Sequence, residues 1–227
     1  MQNLETKPMK TLLEDVNIES FTPMAAPAEI KALVPMTEKA AQTVAAGRAA
    51  VRAVLDGSDN RFLVITGPCS VHDPKAALEY AQKLSALSRE LGDAILFVMR
   101  VYFEKPRTVA GWKGFVNDPR MDGSFRIAEG MTRARELMRA ISEMGLPLAT
   151  EALDPSGPQY LGDFVSWYAI GARTAESQTH REMASGLSAP WASRTARTAI
   201  SRRRSTPSTQ AAAAITSSAS TKTAAPR

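Results

Sequence analysis

The chain holds one cysteine, Cys69, in 227 residues. No intramolecular disulfide can form, and a reducing compartment suits it best. Long apolar runs are missing as well. The longest in the body, Ala94 to Met99, is far too short to span a bilayer. Met1 to Ser20 has no continuous apolar segment of the kind a secretory leader needs. A soluble cytoplasmic protein with no membrane partner is the expectation. The two histidines, His72 and His180, are not joined by a metal-ligand spacing such as H-x-x-x-H. Each reads more readily as structural or solvated than as catalytic.

Acidic residues are absent after position 190, and this explains the net charge of +5. Residues 191–227 carry seven of the 28 basic residues, leaving 21 against 23 acidic ones in residues 1–190, a net of −2. The basic character therefore belongs to the tail. Arg202, Arg203 and Arg204 form its one basic run, without interleaved aromatics, so no nucleic-acid partner is expected. Ala, Ser and Thr make up 24 of the tail's 37 residues, with no hydrophobic period of either kind. Such a segment buries too little apolar area to offset its ordering entropy, and disorder is expected over 191–227.

Within the body, hydrophobic residues at 44% of the chain suffice for one domain with a real core. Residues 1–36, with Pro8, Pro23, Pro27 and Pro35, read as an arm with room for one short helix. Thr37 is a natural N-cap for a helix reaching Gly57. An alternation follows. Short apolar runs at 62–66, 95–101, 146–150 and 168–172 predict strands, and periodic segments at 74–91, 127–144, 158–166 and 174–185 predict helices. Buried strands alternating with helices argue for a parallel sheet. Four units in about 125 residues match the repeat of a (β/α)8 barrel, which takes roughly 250 residues. An open doubly wound sheet is the rival, weakened because no G-x-G-x-x-G follows the first strand. The division expected is an arm (1–36), a partial barrel (37–190) and a disordered tail (191–227).

In a parallel barrel, function sits at the C-terminal strand ends. Those ends carry Gly67-Pro68-Cys69-Ser70, then Arg100 with Glu104-Lys105-Pro106-Arg107-Thr108, then Thr150-Glu151, then Gly171-Ala172-Arg173-Thr174. Arg100, Lys105, Arg107 and Arg173 thus share one rim. Arginine's planar fork matches carboxylate and phosphate oxygens, so the rim suits an anionic substrate or two. Ordinary surface ion pairing is the plainer account of any one of these residues. Cys69 is read either as a small hydrophobe or as a thiolate ligand or nucleophile.

Four segments carry a specific resemblance: GPCSVHDP (67–74), MRVYFEKPRT (99–108), GWKGFVNDP (111–119) and IGARTAESQTHRE (170–182). Together they resemble the class I 3-deoxy-D-arabino-heptulosonate 7-phosphate (DAHP) synthase family, continuously from about Thr37 to Pro190. The resemblance implies a TIM barrel with an N-terminal extension, of which only about the first four β/α units are expected here. It also implies the condensation of phosphoenolpyruvate with erythrose 4-phosphate, the first step toward aromatic amino acids, with a divalent metal of the Mn, Fe, Co or Zn class. By the same resemblance Cys69 matches a metal ligand. Arg100, Lys105, Glu151, Gly171, Ala172 and Arg173 match phosphoenolpyruvate-binding positions, and Pro106, Arg107 and Thr108 match the erythrose 4-phosphate segment. A homo-oligomer is implied, with an aromatic amino acid as feedback inhibitor and the arm in subunit contacts.

The family continues beyond the position of Pro190 with V-G-F-K-N-G-T-D-G, whereas this chain reads W-A-S-R-T-A-R-T-A over 191–199. Written GTG GGC TTC AAG AAC GGC ACG GAC GGC and read from the second base, the family peptide becomes that very string. A later family segment, H-H-F-L-G-I-N-Q-D, shifted likewise gives I-T-S-S-A-S-T-K-T, found over 215–223. The tail is therefore expected to be an out-of-frame reading. The family's remaining metal ligands, a histidine, a glutamate and an aspartate, lie in later strands, so the metal is not expected to be retained. A catalytically inactive, aggregation-prone chain is the expectation, and a non-catalytic fragment that binds a full-length synthase or another anionic partner is the alternative. DNA sequence across the codon for Pro190 checks the frame: an in-frame Val-Gly-Phe-Lys reading is expected one base away, and its absence ends the idea.

Overall fold

Five short strands, each bonded to its neighbour in sequence, form one parallel sheet in the order β1-β2-β3-β4-β5. The computed structural model describes residues 13, 15, 16, 18, 21–105 and 111–193. Its elements are α1 (Pro27–Leu33), α2 (Glu38–Asp56), β1 (Phe62–Thr66), α3 (Pro74–Glu90), β2 (Ile95–Arg100), α4 (Ile127–Glu143), β3 (Leu148–Glu151), α5 (Gly157–Leu161), a 3-10 turn (Gly162–Phe164), β4 (Val165–Ile170), α6 (Gln178–Ser185) and β5 (Trp191–Ser193). A strictly sequential strand order is that of a barrel segment. A doubly wound sheet would reverse direction partway. The sequence rival is thereby excluded, and the chain is an α/β half-barrel.

The strands sort their side chains by period two. Val64, Phe97, Met99, Val101, Leu148, Tyr168 and Ile170 pack into the larger core with Ala77, Ala81 and Leu84 of α3 and Met131, Ala134, Leu137, Met138 and Ile141 of α4. Leu63, Ile65, Leu96, Val98, Ala149 and Trp167 form a second cluster on the opposite face. Val165 and Trp167 are two residues apart yet belong to different clusters. A bulge causes this: the register steps from Leu148↔Val165 to Ala149↔Trp167.

α2 closes the second cluster from the N-terminal end of the strands. Thr37 caps it as the sequence predicts, its Oγ1 accepting from the Ala40 amide at 3.3 Å and donating to Glu143 Oε1 at 2.9 Å. Val51 is wholly buried against Leu96, Val98 and Ala149. Gly47 permits the close approach, since a Cβ there would stand 2.6 Å from Pro147 Cβ and 2.8 Å from Ser166 Oγ. Arg48 then bridges to the strand starts, donating to the Val165 and Gly162 carbonyls at 2.9 and 2.8 Å.

Arg135 of α4 ties the arm to the barrel and is 0% exposed. It donates to the Val34 carbonyl after α1 at 3.0 Å, to the Tyr160 carbonyl at 2.5 Å, and to both oxygens of Asp163 at 2.6 and 2.9 Å. Its guanidinium carbon lies 4.8 Å from the centroid of Phe164. A buried charge is tolerable only with this kind of satisfaction.

The structure corrects several of the expected elements: the helix expected over 158–166 ends at Leu161, and the strand expected over 146–150 runs Leu148–Glu151. Trp191–Ser193 were expected within a disordered tail, yet they extend the sheet as a fifth strand, pairing Tyr168↔Trp191, Ala169↔Ala192 and Ile170↔Ser193. The reason is that the edge of β4 offers backbone donors and acceptors that any extended segment can satisfy. The strand expected over 168–172 instead spans Val165–Ile170, because the preceding helix stops at Leu161 and tightens into the 3-10 turn. The helix expected from Thr174 starts at Gln178, since Thr174 and Ala175 turn back onto the Gly171 carbonyl. Expectations for 194–227 fall outside the described residues. No helix among the described residues is long and apolar enough to cross a membrane.

Arg135→Met is expected to lower unfolding free energy by about 3 kcal/mol, because Asp163 and two carbonyls lose their donor. Urea unfolding of both chains checks this, and an unchanged midpoint would show that the arm is held by other means.

Candidate functional site

The register that builds the sheet also builds the rim. Arg100 lies two residues beyond Val98, Glu151 two beyond Ala149, and Gly171 four beyond Trp167. All three positions therefore fall on the face of the second cluster, at the C-terminal strand ends, with Arg100 paired to Ala149 and Glu151 to Ala169. Glu151 and Gly171 meet directly. A Cβ at Gly171 would lie 2.8 Å from Glu151 Oε1 and 3.2 Å from Thr174 Oγ1, so glycine leaves room for the carboxylate.

Arg100 is held by two contacts. Its Nη2 donates to the Cys69 carbonyl at 2.9 Å, and its guanidinium carbon lies 3.8 Å from the centroid of Tyr102. Its Nε is buried and has no hydrogen-bond partner among the described residues. An unmet buried donor on a permanent cation is costly unless an acceptor fills it. Ala172 and Arg173 lie exposed on the turn after β4.

The chain leaving β2 is pinned before it reaches Lys105. Glu104 forms an antiparallel bridge with Gly114, the Lys105 amide donates to the Lys113 carbonyl at 3.0 Å, and Phe103 and Phe115 stack with centroids 6.1 Å apart. Gly114 has φ 106°, and a Cβ there would stand 2.7 Å from Glu104 Cα, so only glycine suits this crossing. Lys105 Nζ rests 6.0 Å from the Trp112 ring centroid, and Trp112 itself donates from Nε1 to the Asp118 carbonyl at 2.7 Å. Pro106, Arg107 and Thr108 lie outside the described residues.

Sequence reasoning gave no role to Glu104 beyond its place in a motif. The structure sets it in a cleft walled by Phe103, Val116, Leu153 and Leu161, together with Glu151 and Asp154. Burial pushes its carboxyl up to about 7, and the Asp154 and Glu151 carboxylates push the same way against a backbone hydrogen bond from Asp154. The one available signal was a carboxylate placed directly after the apolar run Val101–Phe103.

The implied metal fits these residues poorly. Cys69 is exposed, and among the described residues no three His, Cys, Asp or Glu side chains converge as a metal would require. His180 is engaged otherwise, Nε2 meeting the Leu153 carbonyl at 2.8 Å and Nδ1 meeting Ser177 Oγ at 3.0 Å.

A sequential parallel sheet whose strands alternate with helices is the architecture of a β/α half-barrel. The sequence matches the DAHP synthetase I family over residues 33–220. It is 54% identical over 181 residues to the Tyr-sensitive phospho-2-dehydro-3-deoxyheptonate aldolase of Escherichia coli (strain K12), covering 80% of this chain and 51% of that one. The Phe-sensitive counterpart from the same organism is 55% identical over 177 residues, covering 78% and 51%. A structure of phospho-2-dehydro-3-deoxyheptonate aldolase from Francisella tularensis SCHU S4 superposes with a TM-score of 0.77 at 46% identity, covering 79% of this chain and 52% of that one. The chain belongs to the DAHP synthetase I family, and it spans about half the length of the curated relatives it matches.

Glu104→Gln tests the electrostatics of the cleft. A carboxyl raised from 4.5 to about 7 contributes fully below its unfolded value, and that contribution is lost as pH rises through 7. The wild type is therefore expected to lose on the order of 1–2 kcal/mol relative to Glu104→Gln between pH 5 and pH 8, after discounting for solvent screening. Urea midpoints at the two pH values check it, and a gap that does not change with pH refutes it.

Proposed function

We propose that this chain carries the phosphoenolpyruvate side of a DAHP synthase site. The parent reaction is the aldol-type condensation of phosphoenolpyruvate with erythrose 4-phosphate. The observation behind this reading is Arg100, whose buried Nε lacks a hydrogen-bond partner among the described residues while Tyr102 and the Cys69 carbonyl hold its plane. A carboxylate or phosphate is the natural acceptor for such a fork. Lys105 and Arg173 add positive charge along the same rim, while Glu151, Gly171 and Ala172 shape its floor. Pro106, Arg107 and Thr108 are assigned to erythrose 4-phosphate. The work of these residues is to bind and orient, so that the enol carbon of one substrate faces the aldehyde carbon of the other.

Turnover by the 227-residue chain is not part of the proposal, because among the described residues no group of His, Cys, Asp or Glu side chains gathers to hold a divalent metal. The names of the relatives, sensitive to Tyr, Phe or Trp, support an aromatic amino acid as inhibitor of the parent enzyme. A cytoplasmic homo-oligomer completes the reading.

Calorimetric titration with phosphoenolpyruvate tests it. Arg100→Ala is expected to weaken binding about tenfold to a hundredfold, the loss of a charge-assisted hydrogen bond. Equal affinity in the two chains overturns the assignment, and metal-dependent consumption of phosphoenolpyruvate by the wild type overturns the non-catalytic part.

A further inference from the structure

Arg100 is the last residue of β2, and the alternation that carries Val98 and Arg100 to the rim face carries Tyr102 there as well. Met99, Val101 and Phe103 go to the other side and are buried in the larger core. Past the end of β2 the chain is anchored residue by residue. The Val101 amide donates to the Ala149 carbonyl at 2.8 Å, and the Val101 carbonyl accepts from Thr150 Oγ1 at 2.8 Å. The Tyr102 carbonyl accepts from the Val71 amide at 2.8 Å, and the Phe103 carbonyl accepts from the Val116 amide at 3.4 Å. Three separate segments thus hold the backbone around Tyr102, which is itself buried.

What this backbone presents to Arg100 is a ring face, with the guanidinium carbon over it at 3.8 Å from the centroid. Every N–H of a guanidinium lies in the plane of the group, so a ring against the face steadies the charge without taking a donor. A carboxylate does the opposite, as Asp163 does when it accepts from both Nη1 and Nη2 of Arg135. Among the described residues Arg100 has no carboxylate partner, and its one hydrogen bond there runs from Nη2 to the Cys69 carbonyl. The turn bearing that carbonyl is pressed against β2: a Cβ on Gly67 would strike the Arg100 carbonyl. We propose that Tyr102 is a positioning residue for anion binding, whose ring holds the Arg100 fork in the plane an oxyanion meets and leaves the Nε donor for it. This rests on the reading of Arg100 as part of an anion-binding rim. An unheld arginine gives up side-chain freedom when a ligand arrives, whereas the stack has already removed that freedom. Losing the ring therefore costs affinity, and only while Arg100 is present.

A double-mutant cycle tests this, with phosphoenolpyruvate affinity of the 227-residue chain measured by calorimetry. Tyr102→Leu stays apolar but removes the ring face, and it is expected to weaken binding about threefold to tenfold. Tyr102→Phe keeps the face and is expected to recover most of that loss. In an Arg100→Ala background, Tyr102→Leu is expected to change affinity by less than about twofold. Equal losses in the two backgrounds, or equal losses from Phe and Leu, overturn the positioning role, because a tyrosine that only supports the fold gives those results. Nitrogen-15 relaxation of arginine Nε–H groups in the unliganded wild type needs no Tyr102 variant to fold. The signal that disappears in Arg100→Ala is expected to be as ordered as the backbone, and a signal as mobile as a surface arginine's refutes the proposal. If Arg100→Ala weakens binding and Tyr102→Leu does not, the positioning role alone fails. If the wild type binds no phosphoenolpyruvate, the rim reading fails and takes the positioning role with it.

Discussion

The parallel ladder from β2 to β4 is the constraint on which the rest depends. Its alternation sends Phe97 and Met99 into the helix-packed core and Leu96 and Val98 into the cluster under α2. The same alternation delivers Arg100, Glu151 and Gly171 to one face at one end. A single-residue slip in any strand would turn its rim residue into the hydrophobic layer. The bulge between Leu148 and Ala149 shows the ladder being corrected rather than followed. Without it, Val165 and Trp167 would share a face, and Gly171 would be carried away from Glu151.

Two arginines show how differently the same group can be satisfied within one fold. Arg135 is fully buried, and its donors go to Val34, Tyr160 and Asp163. Arg100 is less enclosed, yet its buried Nε has no acceptor among the described residues. Burial depth does not set the two apart; unmet hydrogen-bonding capacity does. The stack on Tyr102 helps to fix the orientation of the guanidinium fork.

Much of this was legible from the chain. Apolar runs and helical periods located four strands and their helices, and the Thr37 cap was read correctly, because these are local signals with a direct physical cause. Arg100, Glu151 and Gly171 were legible as strand-end residues once the sheet was taken to be parallel. Glu104 was not, since its raised carboxyl depends first on burial between walls drawn from other segments, and then on Asp154, 50 residues away in sequence. Strand ends within a residue or two were also hidden. The start of β4 depends on a 3-10 turn, and nothing in the local composition of Gly162–Phe164 announces one.

Trp191, Ala192 and Ser193 satisfy the edge of β4 through backbone groups alone, and a Val-Gly-Phe segment in the same register would make the same bonds. Their pairing therefore says nothing about the reading frame. It does change what is left bare. The edge of β4 is covered by β5, and the described sheet ends at β1 on one side and β5 on the other. β1 carries Phe62, which is 72% exposed, so the apolar liability of the half-barrel sits more on its first strand than on its fourth.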